Sequence, residues 1–128
     1  MSYNILGINP GHNGSACLVS DGELKYYLEE ERLSRMKYDG NPFKSMIDIM
    51  SKYHVDELVI VGTYPDHPIL PWTMEDVYTG LVRKYYPNVK TTLLGQDHHL
   101  THASCAFYNS GFKKAVAIIV DGAGTYKD

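Results

Sequence analysis

No apolar run in this chain approaches the roughly 18 residues that a membrane-spanning helix requires, so no span is expected. The opening, MSYNILGINPG, has no basic stretch followed by an apolar core, and no secretory leader is expected. Cysteine is scarce. Cys17 and Cys105 lie far apart, each among small apolar neighbours (SACLV and ASCAF). That excludes a disulfide framework; the expectation is two reduced, buried thiols in a cytoplasmic protein. An excess of one charge is also missing. Twelve basic against fifteen acidic residues give a net charge of −3, which argues against a nucleic-acid surface built on bulk charge. Phenylalanine and tryptophan are few, and eleven tyrosines carry the aromatic content as amphipathic packing residues. There is no internal repeat and no low-complexity tract.

What is there alternates. Residues 3–8 (YNILGI) are apolar and β-prone, and run into NPGHNGS, a stretch of turn formers. Residues 16–19 are a second apolar run, Asp21-Gly22 is a hairpin signal, and residues 23–28 pair back as a third strand. The charged run EEERLSRMKYDG (29–40) reads as exposed. Asn41 as N-cap and Pro42 at the first helical position open a helix predicted from 42 to about 53, with apolar residues at helical spacing. LVIV (58–61) reads as a buried strand, and the three prolines within 62–72 as a loop. Thr73 caps a second helix running to about Tyr86. Residues 90–94 form a strand. Asp97 caps a third helix over about 98–109, which Gly111 ends, and AVAIIV (115–120) is a further strand leading into DGAG. The order β-β-β-α-β-α-β-α-β predicts an α/β domain whose mixed sheet is an antiparallel meander followed by parallel crossovers with helices.

Half of the six histidines fall within HHLTH, and His98 and His102 stand four apart, on one face of the predicted helix. That spacing can present two imidazoles to one metal ion. Chance alone yields roughly 0.3 such pairs in a chain of this composition, so the spacing needs company. A third ligand candidate is Asp121, at the carboxyl end of the predicted strand 115–120, where ligands gather in α/β sheets. Two imidazoles and a carboxylate suit Fe(II) or Zn(II). His54 and His67 have no partner motif and read as structural or surface residues.

Four motifs in order, LGINPGHNGSACLV, EEERLSRMK, HHLTHA and VDGAG, make the chain similar, along essentially its whole length, to the N-terminal part of carbamoyltransferases of the NodU/CmcH type. These are the O-carbamoyltransferases of Nod-factor, cephamycin and aminoglycoside biosynthesis. Their N-terminal domain resembles the tRNA threonylcarbamoyl-transfer subunit. The resemblance implies the first lobe of an actin-like ATPase fold, a ribonuclease-H-like unit whose element order the chain shares. It implies His98, His102 and Asp121 as metal ligands, with a further aspartate from a second lobe. It implies His12 as the catalytic histidine, Lys37 as a substrate contact, and Gly122, Ala123, Gly124 and Thr125 as the turn lining a carbamoyl-adenylate site. Many relatives have Glu where this chain has Thr125, which weakens any role there that needs a carboxylate.

The activity so implied is transfer of a carbamoyl group from carbamoyl-adenylate to a hydroxyl of a small-molecule acceptor. A separate C-terminal, YrdC-like domain would make that adenylate from carbamoyl phosphate and ATP. His12 would serve as general base. Gly11 and Gly14 would let backbone N–H groups approach an anion. Residues 1–128 are then expected to be the first lobe of a longer enzyme, inactive alone, with exposed apolar surface around 115–120 and self-association through that truncated edge. The alternative is a non-catalytic metal- or nucleotide-binding module that needs a partner to complete its cleft. A sugar-kinase-like reading would place an Asp in the turn after the first strand, where the chain has Asn9-Pro10-Gly11.

Overall fold

A computed structural model describes residues 1–61, 74–94 and 97–120, with the side chains of 74–76 excepted. Strands β1 (Asn4–Asn9), β2 (Ser15–Ser20) and β3 (Glu23–Glu29) form the meander. β1 and β2 pair antiparallel from Asn4↔Ser20 to Asn9↔Ser15. β2 and β3 turn at Asp21-Gly22, both with positive φ (49° and 82°), the backbone a two-residue hairpin requires. Helices α1 (Glu30–Ser34) and α2 (Phe43–Met50) follow, then β4 (Glu57–Ile60), α3 (Met74–Tyr85), β5 (Lys90–Leu93) and α4 (His98–Ser110). β4 lies parallel to β1, and β5 parallel to β4, giving the order β3-β2-β1-β4-β5. The expected mixed α/β sheet is therefore observed.

Strand alternation puts Leu6, Ile8, Ala16, Leu18, Leu58 and Ile60 on one face, and the register aligns them across three strands. Met46 and Ile49 of α2 and Tyr78 and Val82 of α3 close over that face as one buried cluster. The opposite face is apolar but open. A depression of about 300 Å³ is lined there by Ile5, Gly7, Cys17, Val19, Tyr27 and Val59. Burial pushes the Cys17 thiol up, yet this cysteine is only half-buried, and Cys105 on α4 is exposed. The expectation of two buried thiols fails because α4 buries no residue, so its small apolar positions stay at the surface.

Three further expectations are corrected. The run 29–40 is not uniformly exposed: Glu30 has only 2% of its surface accessible. Its carboxylate accepts the backbone N–H of Lys44 (3.1 Å) and Ser45 (2.8 Å) and the Ser45 hydroxyl (2.8 Å). These are the orphan donors of the first turn of α2, held by a negative charge at the positive helix end. Asn41 is accordingly not the N-cap; Pro42 holds that position and makes no side-chain cap. Residues 115–120 form no strand. Val116, Ile118 and Val120 are 92, 86 and 88% exposed. Their β propensity finds no ladder, because β3 and β5 remain the edges of the sheet among the described residues. α4 ends as expected at Gly111, in the left-handed conformation. Thr73 and the loop 62–72 lie outside the described residues.

At the amino end of β4, Glu57 accepts hydrogen bonds from the Thr92 hydroxyl (2.7 Å), the Lys90 ammonium (3.1 Å) and the Tyr3 phenol (2.9 Å). The Thr92 hydroxyl, with Lys90 and Tyr3, holds this carboxyl below its usual value of 4.5 against the opposing effect of burial.

Two predictions follow from these carboxylates. Glu30→Ala leaves α2's first-turn donors without their acceptor, and urea unfolding should show a loss of about 3 kcal/mol, with a smaller loss for Glu30→Gln. Glu57 titrates lower folded than unfolded, so its stabilisation is present above the unfolded value and is lost as pH falls through the depressed one. The urea midpoints of the parent and Glu57→Gln should therefore differ at neutral pH and converge as the pH falls through the depressed carboxyl value; parallel pH curves would contradict this assignment.

Candidate functional site

The parallel register fixes where the candidate residues gather. β1, β4 and β5 run side by side in the same direction. The turn after β1 carries His12, and the segment after β5 opens α4 at His98. Both therefore emerge at the carboxyl end of the parallel strands, with only β4 between their strands. Neighbouring strands are about 4.8 Å apart, so the two strand ends stand roughly 10 Å apart. In open α/β sheets this end is where ligands bind.

The His12 corner is built by two backbone segments that cross. Gly11 N–H donates to Gly40 O and Gly14 N–H to Asp39 O, both at 2.8 Å. There is no room for side chains at the crossing. A Cβ on Gly14 would lie 2.7 Å from the Gly40 carbonyl carbon, and one on Gly40 would lie 2.4 Å from Gly11 O. The glycines thus serve close approach of backbone to backbone. The N–H groups of Gly11 and Gly14 themselves are spent on residues 40 and 39. Glu30 N–H closes the corner by donating to Gly14 O at 2.8 Å.

Between those crossing points the His12 ring stacks on Tyr38, with centroids 5.2 Å apart and planes at 24°. The Lys37 ammonium lies 4.8 Å from the centre of the same ring. His12 and Lys37, singled out from separate motifs, therefore meet on a residue that the sequence reading passed over. Tyr38 has φ +63° and is 54% exposed. A left-handed aromatic residue is strained by about 1–3 kcal/mol, and a half-exposed ring regains little of that through burial. Its N–H donates to Glu31 Oε2 at 3.0 Å. Within the charged run only the Asp39-Gly40 pair hinted at a turn, and nothing local marked Tyr38 or Glu30.

On α4, His98 and His102 approach as helical spacing dictates. Their Nε2 atoms are 3.1 Å apart and their rings meet edge to face. Two metal–nitrogen bonds of about 2.1 Å place the nitrogens roughly 3.0 Å apart at a right angle and roughly 3.4 Å apart at a tetrahedral one. The Nε2–Nε2 separation falls within that range, and it is equally the separation of a hydrogen bond between the two rings. Among the described residues no group of three or more His, Cys, Asp or Glu side chains could hold a metal. Asp121, Gly122, Ala123, Gly124 and Thr125 lie outside the described residues, as does His67. His54 sits at the other end of β4, against Asp56 (3.4 Å) and edge-on to Tyr86, as a surface residue. No helix among the described residues is long and apolar enough to cross a membrane.

No family model matches the chain. Among the curated proteins similar to it are the following three. Uncharacterized protein MJ1051 of Methanocaldococcus jannaschii is 32% identical over 124 residues, covering 94% of this chain and 22% of that protein. Nodulation protein NolNO of Sinorhizobium fredii is 28% identical over 138 residues, covering 90% of this chain and 20% of that protein. Uncharacterized protein sll1178 of Synechocystis is 28% identical over 159 residues, covering 96% of this chain and 26% of that protein. The chain thus spans about a fifth to a quarter of the length of the curated relatives it matches.

The crossing gives a direct prediction. Gly40→Ala forces a methyl against the Gly11 carbonyl and should lower stability by about 1–3 kcal/mol in thermal unfolding. Gly80→Ala, on α3 where a Cβ meets nothing within 4 Å, should be neutral or stabilising. Equal effects at both glycines would contradict the steric reading of the corner.

Proposed function

We propose that this chain is the first lobe of an actin-like O-carbamoyltransferase domain, which carries the general base and part of a metal site for carbamoyl transfer to a small-molecule hydroxyl. The observation that supports it most is that two motifs follow parallel strands and so leave the same end of the sheet: His12 after β1, and the His98–His102 pair, with Nε2 atoms 3.1 Å apart, after β5. The similarity to a protein named a nodulation protein agrees with the resemblance to the enzymes of Nod-factor carbamoylation.

The chemistry assigned to the chain is a proton transfer. The acceptor hydroxyl is a poor nucleophile at its own pKa, and His12 takes its proton as the oxygen attacks the carbamoyl carbon. The new oxygen–carbon bond forms, the bond from that carbon to the adenylate oxygen breaks, and AMP leaves with the electron pair. Lys37, whose ammonium lies over the Tyr38 ring, would compensate the charge of the departing phosphate. His98 and His102 would hold Fe(II) or Zn(II), with Asp121 as third ligand. Such an ion would supply Lewis-acid polarisation of a carbonyl or hold phosphate oxygens. Carbamoyl phosphate and ATP would enter through a further domain of the whole protein.

Metal content after anaerobic purification tests the ligand pair. His98→Ala should lower metal affinity by more than the roughly 10–100-fold that loss of an outer-shell partner costs; equal occupancy in parent and variant would remove His98 from the ligand set. Transfer of labelled carbamoyl from carbamoyl phosphate and ATP by the whole protein tests the base. His12→Ala should slow it by roughly 10²–10⁴-fold, and an unchanged rate would defeat the catalytic role of His12.

A further inference from the structure

We propose that Tyr38 is a positioning residue for His12, an inference that rests on the reading of His12 as the proton acceptor. The lone pair of an imidazole nitrogen lies in the ring plane, so fixing that plane fixes the direction from which a proton can be taken. The Tyr38 ring lies nearly parallel to the imidazole, at 24° and 5.2 Å between centroids. It is itself held from three sides: the Lys37 ammonium over its face, the Glu31 carboxylate on its backbone N–H, and the Gly11–Gly40 and Gly14–Asp39 bonds on the segments that bear both rings.

The backbone conformation distinguishes positioning from packing. At φ +63° a glycine or asparagine is the unstrained choice, and a bulky aromatic residue is the poor one. A residue selected for stability would be buried in return, yet more than half of Tyr38 is exposed. Strain kept at a solvent-facing ring, in contact with both candidate functional side chains of this corner, points to a role in orienting them.

The experiment compares Tyr38→Gly and Tyr38→Phe in the full chain. The ring protons of His12, assigned by their loss in His12→Gln, should show an upfield ring-current shift in the parent and in Tyr38→Phe, and lose it in Tyr38→Gly. Tyr38→Gly should melt at the parent temperature or above, because glycine removes the strain. Unchanged His12 resonances in Tyr38→Gly overturn the proposal, and so does a melting temperature well below the parent's, which would make Tyr38 a packing residue. In the whole-protein transfer assay, kcat should fall by up to about 100-fold in Tyr38→Gly, with KM for carbamoyl phosphate little changed, and recover in Tyr38→Phe. If His12→Ala abolishes transfer while Tyr38→Gly leaves kcat intact, the positioning role fails and the base assignment stands. If His12→Ala leaves transfer intact, the base assignment fails, while the nuclear magnetic resonance comparison still decides whether Tyr38 holds the ring.

Discussion

The corner depends on one buried carboxylate. Glu30 is 2% exposed, and its oxygens accept three donors at the first turn of α2. Its own N–H holds the Gly14 carbonyl. One residue therefore ties the end of the meander, the turn carrying His12 and the start of the helix that covers the sheet. Moving such a charge out of position would leave several buried polar groups unpaired at once, a cost far above that of a surface substitution. The Tyr78 phenol of α3, pushed up to about 12 mainly by burial and then by the Glu30 charge, donates to Asn41 Oδ1 at 3.5 Å, just ahead of α2. The core and the candidate site are thus one construction: the interaction that seats α2 on the sheet also sets the position of the His12 turn.

The elements whose signals are local were legible in the sequence. Asp21-Gly22 specifies a hairpin through backbone conformation alone, and LVIV is apolar enough to be a buried strand in any register. His98 and His102 follow from the helical repeat. Glu30 was not legible, because three consecutive glutamates carry the same local signal and only tertiary contacts decide which one enters the core. Asn41 was misread as a cap for the same reason: Glu30, eleven positions earlier, already satisfies the donors that a cap would serve. The run 115–120 has strand composition but is not a strand, since a ladder is a property of two segments and the pattern of one cannot supply the other.

The two halves of the candidate site differ in what holds them. The His98–His102 contact needs only that residues 98–102 be helical, and α4 buries none of its side chains. The His12 corner is tertiary throughout. It rests on the crossing of 11–14 with 39–40, two segments more than 20 residues apart in sequence, and on the Glu30 carboxylate, and it carries the strained Tyr38. Strand order brings the halves to one end of the sheet, because β1 and β5 both run parallel to β4. A metal bound by the pair would not by itself organise the base, and a well-formed base corner would not by itself seat α4.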